Sequence, residues 1–462
     1  MGSFSFIRNR RVEQSSTGRR AGRLLGKVVA AGLLLAGATM AGASQPASAA
    51  PAAADLRPII FVHGAAGSGS QFDTQARRFA SNGYPADYIE TEDYNSLALN
   101  QDQVWAELDT KIARLKAKTG KDKVELLGHS LGTAVSQGYL NSSAARAANV
   151  AHYVNLDGAG ATALPGGVPT LNITGEGNTA TITGATNVAQ ATQSHVQVTS
   201  SAETFAAAYR FFTGSAPATT NVVAQSGTIQ LGGRALSFPD NAGLTNYTLA
   251  VYTVDPATGQ RTSQTPVASA TLSGDGSFGP FNGSGTASYE FALTHTPTGV
   301  VHHQYFQPFL RTDLNIHLLG TYPGSGIDLL LERDAAHVTA LVYRNKEFWG
   351  DQGAAGDTLS VNSTSILNAK NAPKSKRACG LFLYDSWKNK QTDLNNTPLG
   401  LNVLPFVSSA DVYIPASATA SGTVTFQSQQ RGGNGHVDRV AVPNWPSDKN
   451  LVTVYLNDYV NS

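Results

Sequence analysis

Val124-Glu125-Leu126-Leu127-Gly128-His129-Ser130-Leu131-Gly132 is the stretch that decides the fold. With Lys123, its first residues form a short apolar run of strand type, and Leu131 to Leu140 reads as a helix. Between them a serine has glycine two residues before it and two after. A strand-to-helix turn that tight carries other backbone close across the serine, and only small residues at Gly128 and Gly132 let it pass. The bare spacing recurs by chance in a chain with 46 glycines. The strand before it and the helix after it therefore carry the reading: an exposed, nucleophilic Ser130.

Working outward, Pro58 to Val62 reads as a buried strand, and Gln101 to Lys118 as a helix with Val104, Leu108, Ile112 and Leu115 on one face. Downstream, Val150 to Leu156 and Val168 to Ile173 are strands, and Glu203 to Phe212 is a closing helix carrying Phe205, Tyr209 and Phe212. Strands alternating with helices predict an α/β domain with a mainly parallel sheet and flanking helices. The character changes at Ser215-Ala216-Pro217-Ala218-Thr219-Thr220, beyond which short alternating segments and Gly/Pro turns predict all-β structure. The expected divisions are 1–49, a leader; 50–214, the α/β domain; 215–295, a linker and small β-sandwich-like domain; and 296–462, a C-terminal β domain. No repeat of fixed period indicates a solenoid.

The chain has 462 residues, 41% of them hydrophobic and 14% charged, enough apolar content for a large core and too much for a disordered chain. Its formal charge of +1 hides an asymmetry. Seven of 33 basic residues but only one of 32 acids lie in the first 49 residues, so the remainder carries −5. That balance argues against a nucleic-acid partner. The leader has a basic stretch to Lys27, an apolar run from Val28 to Ala43 and Ala47-Ser48-Ala49 before Ala50-Pro51, the pattern of a secretory signal peptide. The run is short for a membrane span. The expectation is a secreted, extracellular protein, with Arg19-Arg20 admitting twin-arginine export as an alternative route. The single cysteine, Cys379, excludes an internal disulfide and, beside Gly380-Leu381-Phe382-Leu383-Tyr384, reads as a buried thiol.

A nucleophilic serine needs a base, an acid and donors for the developing oxyanion. Val62-His63-Gly64-Ala65 ends a strand in a glycine-containing loop, so the oxyanion donors are expected at the Ala65 and Leu131 amides. His63 reads as an orienting residue rather than a base. After Ser130 and before the linker only His152 and His195 occur; His152 lies in a strand, which leaves His195, in the polar loop Thr192-Gln193-Ser194-His195-Val196. Two strand ends offer the acid: Asp157 in Asn155-Leu156-Asp157-Gly158, and Glu176 in Ile173-Thr174-Gly175-Glu176. The shorter Asp157 is the easier to hold against an imidazole at a tight strand end; Glu176 is the alternative.

These motifs together resemble the α/β-hydrolase lipases, in particular the class 2 bacterial lipases and a two-part archaeal lipase with a C-terminal β domain. The likeness rests on Val62-His63-Gly64-Ala65, Gly128-His129-Ser130-Leu131-Gly132, Asn155-Leu156-Asp157-Gly158 and Ser194-His195-Val196-Gln197-Val198, and is specific over about residues 57–214. Gly184-Ala185-Thr186-Asn187-Val188 is similar to the minimal lipases of Gram-positive bacteria. Those keep the acid one strand later, where this chain has no aspartate; the Asp157 position is similar to that of the two-part lipase and of pancreatic lipase.

The resemblance implies hydrolysis of acyl esters, with Ser130 as nucleophile, His195 as base and then acid, Asp157 orienting it, and an acyl-enzyme resolved by water. It implies no organic cofactor; structural calcium is not excluded, although no ligand cluster predicts it, and the adjacent His302-His303 pair lacks metal-ligand spacing. The expected partner is an acyl-ester or lipid substrate at a lipid–water interface, met by a monomer without a membrane span. Phe306, Phe309, Leu310, Leu318 and Leu319 are candidates for such a surface, with core as the plainer reading of each, and residues 95–103 and 158–167 are candidate lids. If the β region serves only substrate capture, a chain ending near Ser215 keeps short-chain activity. Two other readings remain at this point: an extracellular polyester depolymerase with the same triad, and a non-catalytic surface-binding protein on the same scaffold.

Overall fold

The computed structural model describes residues 56–461, so the expected signal peptide, residues 1–49, lies outside the described residues. From Leu56 the chain alternates as expected. The elements are β1 (Ile59–Val62), α1 (Asp73–Ser81), β2 (Ile89–Glu92), α2 (Gln101–Thr119), β3 (Val124–His129), α3 (Leu131–Ser142), α4 (Ala144–Ala148), β4 (Val150–Leu156), β5 (Thr170–Thr174), β6 (Thr186–Ala189), α5 (Gln197–Ser200) and α6 (Ala202–Thr213). The strands form one six-stranded parallel sheet in the order β2-β1-β3-β4-β5-β6.

Every residue of β1 and β3 is buried, because helices cover both faces of a parallel sheet. Ile59 and Phe61 face a core shared with Phe79, Phe205 and Tyr209, whereas Ile60 and Val62 face one shared with Leu108, Ile112 and Tyr139. The helix periodicity is realised in α2, whose buried residues are Val104, Leu108, Ile112 and Leu115. Its ends follow from local chemistry: the Asn100 side chain accepts from the Gln103 amide, and Gly120, at φ 70°, closes the helix in the left-handed region. In α6, Ser201 caps the start, Gly214 ends the helix, and Phe205, Tyr209 and Phe212 are buried.

The remainder is β-rich: β7 (Thr228–Ser237), β8 (Tyr247–Val254), β9 (Ala268–Thr271), β10 (Ser277–Ser284), β11 (Ser288–His295), β12 (Val301–Phe306), β13 (Asp313–Gly320), β14 (Ala340–Tyr343), β15 (Thr358–Val361), β16 (Thr364–Ser365), β17 (Gly380–Tyr384), the short α7 (Leu399–Asn402), β18 (Val407–Asp411), β19 (Thr423–Gln429), β20 (Val437–Pro443) and β21 (Asn450–Tyr455). They form a three-stranded sheet, β10-β7-β13, an eight-stranded mixed sheet, β18-β17-β14-β21-β12-β11-β8-β9, and a four-stranded sheet, β16-β15-β19-β20. The expected division at 295/296 falls at the end of β11, which pairs with β12 in the eight-stranded sheet.

His302 and His303 lie in β12, hydrogen-bonded to Thr453 and to Glu290 and Asn450 respectively. Cys379 is free and buried, and burial pushes its thiol well up from the ordinary range. Phe309, Leu318 and Leu319 are buried and Phe306 is half-buried against the core of Phe309 and Leu318, so the surface role entertained for these four gives way to core packing; Leu310 is half-buried. Among the described residues no helix is long and apolar enough to cross a membrane.

Candidate active site

All the predicted polar residues of the site sit at the carboxyl end of the parallel sheet, where strands β1, β3, β4, β5 and β6 stop and loops begin. Ser130, between β3 and α3, has φ 52° and ψ −119°, a strained turn that holds its hydroxyl out of the sheet. The glycines make this turn possible. A Cβ on Gly132 would lie 2.5 Å from the His63 carbonyl oxygen and closer still to that of Val62; one on Gly128 would lie 2.5 Å from the Gly132 carbonyl oxygen.

Asp157 follows β4 directly, and its amide donates to the Ile173 carbonyl of β5 at 2.7 Å. Its Oδ2 accepts from His195 Nδ1 at 2.6 Å, and its Oδ1 accepts from the Gly175 amide at 2.7 Å and Asn178 Nδ2 at 2.9 Å. Burial works against this carboxylate, but the His195 ring, the Gly175 amide and Asn178 together hold it below its ordinary range. An ionised Asp157 only accepts, so His195 donates from Nδ1 and turns Nε2 to the serine. That nitrogen lies 2.9 Å from Ser130 Oγ. Glu176 does not join this chain: its carboxylate is turned outward to Lys374 Nζ at 2.8 Å.

The loop after β1 is fixed amide by amide. The Gly64 amide donates to Gln71 Oε1 at 3.1 Å, the Ala66 amide to Ser96 Oγ at 2.7 Å and the Gly67 amide to the Gly64 carbonyl at 3.3 Å. Ala65 is the remaining amide, and neither it nor Leu131 has an acceptor among the described residues. A Cβ on Gly64 would lie 3.0 Å from Ser130 Cβ, so this loop runs against the serine. His63 is buried beneath it: its Nδ1–H donates to the Gly64 carbonyl at 2.7 Å, and its Nε2 accepts from the Tyr94 amide at 3.2 Å. Burial lowers its pKa and keeps the ring neutral, as an orienting residue requires.

The family model described as Lipase (class 2) matches residues 56–155, and that described as Lipase C-terminal domain matches residues 227–323. These matches support an α/β-hydrolase lipase family with a C-terminal domain. A further model, described only as a C-terminal domain, matches residues 326–460 of this chain. No curated protein matches it. Solved structures similar to it include Bacillus licheniformis lipase in its propeptide form, at 13% identity over 86% of this chain and 95% of that one, with a TM-score of 0.30. Phospholipase PlaB from Legionella pneumophila is similar at 9% identity over 87% and 94% of the two chains, TM-score 0.22. A gene product from Listeria innocua is similar at 15% identity over 34% and 94%, TM-score 0.26.

Several residues around the candidate site left no trace in the sequence. His129, the variable residue of the serine motif, donates from Nε2 to the His195 carbonyl at 2.8 Å; burial and the adjacent His195 ring push its pKa down to about 3. Asn241, between β7 and β8, donates to the Gly67 carbonyl at 2.7 Å and the Tyr94 carbonyl at 3.0 Å, bracing the β1 loop from the β region. Beside His195 opens a cleft of about 700 Å3 lined in part by Trp349, Lys374, Arg377 and Phe406, with the Phe406 ring 6.3 Å from the imidazole. The loops over the site thus come from the β region as well. Of the two expected lid segments, 158–167 is tied down, with Ala161 exchanging backbone hydrogen bonds with residues 181 and 183; in 95–103, Leu97 and Leu99 are exposed. Among the described residues no group of three or more His, Cys, Asp or Glu could hold a metal ion.

Proposed function

We propose that this lipase-family chain is a secreted serine hydrolase that cleaves acyl esters of lipids through Ser130, His195 and Asp157. The observation that carries the reading is the unbroken hydrogen-bonded chain from Asp157 Oδ2 through His195 to Ser130 Oγ, at 2.6 and 2.9 Å. In this mechanism Ser130 Oγ attacks the ester carbonyl as His195 Nε2 takes its proton, and Asp157 stabilises the resulting imidazolium. The oxyanion is received by the Ala65 and Leu131 amides; such a donor is worth about 3–4 kcal/mol of barrier. His195 then protonates the leaving alcohol, and water, deprotonated by the same nitrogen, resolves the acyl-enzyme.

A lipid substrate is supported by apolar surface close to the cleft. Leu399 is 87% exposed and Val403 83%, and the chain runs from them into Phe406 beside His195; Leu330, packed against Gly400, continues the patch to Leu329, 70% exposed. Exposed apolar groups clustered in this way suit contact with an apolar phase. Ser130→Ala is expected to abolish hydrolysis of p-nitrophenyl esters while leaving the circular dichroism spectrum unchanged. Undiminished turnover would overturn the assignment.

A further inference from the structure

We propose that Arg431, in the β region just beyond β19, is a positioning residue for His195, so that the β region completes the active site as well as meeting substrate. The inference rests on the role of His195 proposed above.

His195 lies in irregular chain between β6 and α5, where no ladder or helix fixes the backbone. A base must nevertheless be held to within about 0.5 Å of its working geometry. One guanidinium reaches both flanks of this histidine: Arg431 Nη2 donates to Ser194 Oγ at 3.0 Å and to Gln197 Oε1 at 3.1 Å. Arg431 is itself held by several partners. Its Nη1 donates to Asp357 Oδ2 at 2.8 Å and to the Glu347 carbonyl, and its amide donates to Asp357 Oδ1 at 3.0 Å. The guanidinium carbon lies 3.9 Å from the centre of the Trp349 ring, and Lys346 Nζ donates to the Arg431 carbonyl at 2.8 Å. Arg344, fully buried, donates to Asp357 Oδ1 at 2.8 Å. Although burial opposes it, Arg344 and Arg431 draw Asp357 down to about 2, so the carboxylate that anchors the arginine stays charged.

Apolar residues could join the two parts as firmly as buried charges do. They could not deliver two directed hydrogen bonds to either side of one histidine, which the planar, multiply donating guanidinium does. Both of these bonds leave Nη2 while Nη1 holds Asp357 and the Glu347 carbonyl; lysine, with a single nitrogen, cannot serve both sets at once.

The test is made on the full-length chain with p-nitrophenyl butyrate and p-nitrophenyl palmitate. The double variant Ser194→Ala/Gln197→Ala removes both acceptors and leaves the contacts of Arg431 with Asp357 and Glu347 in place. It is expected to lower kcat roughly 10- to 100-fold on both esters, the scale of a misplaced reacting group, with KM and the melting midpoint unchanged. Arg431→Lys is expected to show a comparable loss of kcat, whereas Gln197→Glu, which keeps an acceptor, stays closer to wild type than Gln197→Ala. Wild-type kcat in the folded double variant, or a loss confined to KM for the long ester, would overturn the proposal. If the double variant does not fold, the two single alanine variants decide by the same criterion. Ser130→Ala is measured alongside: activity retained there refutes the hydrolase reading, whereas activity lost there with full kcat in the double variant refutes only the role of Arg431.

Discussion

Two carboxylates compete for His195, and their surroundings separate them. Asp157 is buried and receives its hydrogen bonds from a backbone amide, an asparagine and the imidazole itself. Glu176 is half-exposed and engaged with Lys374. Asp157→Asn is therefore expected to reduce kcat by about 10⁴-fold, as loss of the orienting acid does in triads of this kind, and Glu176→Gln to change it little; steady-state kinetics on one soluble ester checks both. Because the native pKa of Asp157 is depressed, its stabilising contribution is complete above the ordinary value of 3.8 and disappears as pH falls through the lowered native value. Ser130 was legible because close backbone crossing demands glycine at 128 and 132, a local constraint. The choice between Asp157 and Glu176 was less so, since the lysine that draws Glu176 away comes from almost 200 positions further along the chain.

At the level of elements, the turn between β3 and α3 has no slack. Gly132→Ala drives a methyl group into the carbonyl oxygens of residues 62 and 63, and overpacking of this kind costs about 1–3 kcal/mol. Because the same carbonyls belong to the β1 loop that leads to Ala65, the variant is expected to lose both melting temperature and kcat. A fall in melting temperature with full kcat would show that the loop and the serine are not coupled. The helices and parallel strands were readable because each is built from neighbours in sequence, as α2 demonstrates residue by residue. The β region was readable only as short alternating strands. Its sheets depend on pairings such as β12 with β21, whose partners are almost 150 residues apart and carry no local signature.

For the molecule as a whole, buried polar contacts join the α/β part to the β region at several places. At one of them His317 of β13 lies between Asp73 of α1 and Asp93, just beyond β2, with Thr91 beside its Nε2 and Arg234 of β7 on Asp93. Burial works against a charge there, yet Asp93 and Asp73 raise His317 to about 10; burial, against the pull of His317, raises Asp73 to about 7. In both cases the native state holds a proton that the unfolded chain has released, so stability falls as pH rises. The Asp73 contribution declines between its ordinary 3.8 and about 7, and that of His317 between 6.5 and about 10. The melting-temperature difference between wild type and His317→Gln is accordingly expected to be largest below about pH 6.5 and to vanish above about pH 10; a difference independent of pH would contradict it. A chain truncated near Ser215 would lose these contacts together with Asn241 and Arg431, and is expected to fail on short and long esters alike. Retained short-chain activity would show that the β region serves capture alone.

The central claim, that Ser130 is acylated during turnover, is tested most directly by inactivating the protein with a fluorophosphonate and mapping the adduct by peptide mass spectrometry. The account predicts a single stoichiometric adduct on Ser130, formed at a rate that falls in Asp157→Asn, with esterase activity lost in proportion to labelling. An adduct on another residue, or full activity after Ser130 is modified, would contradict it.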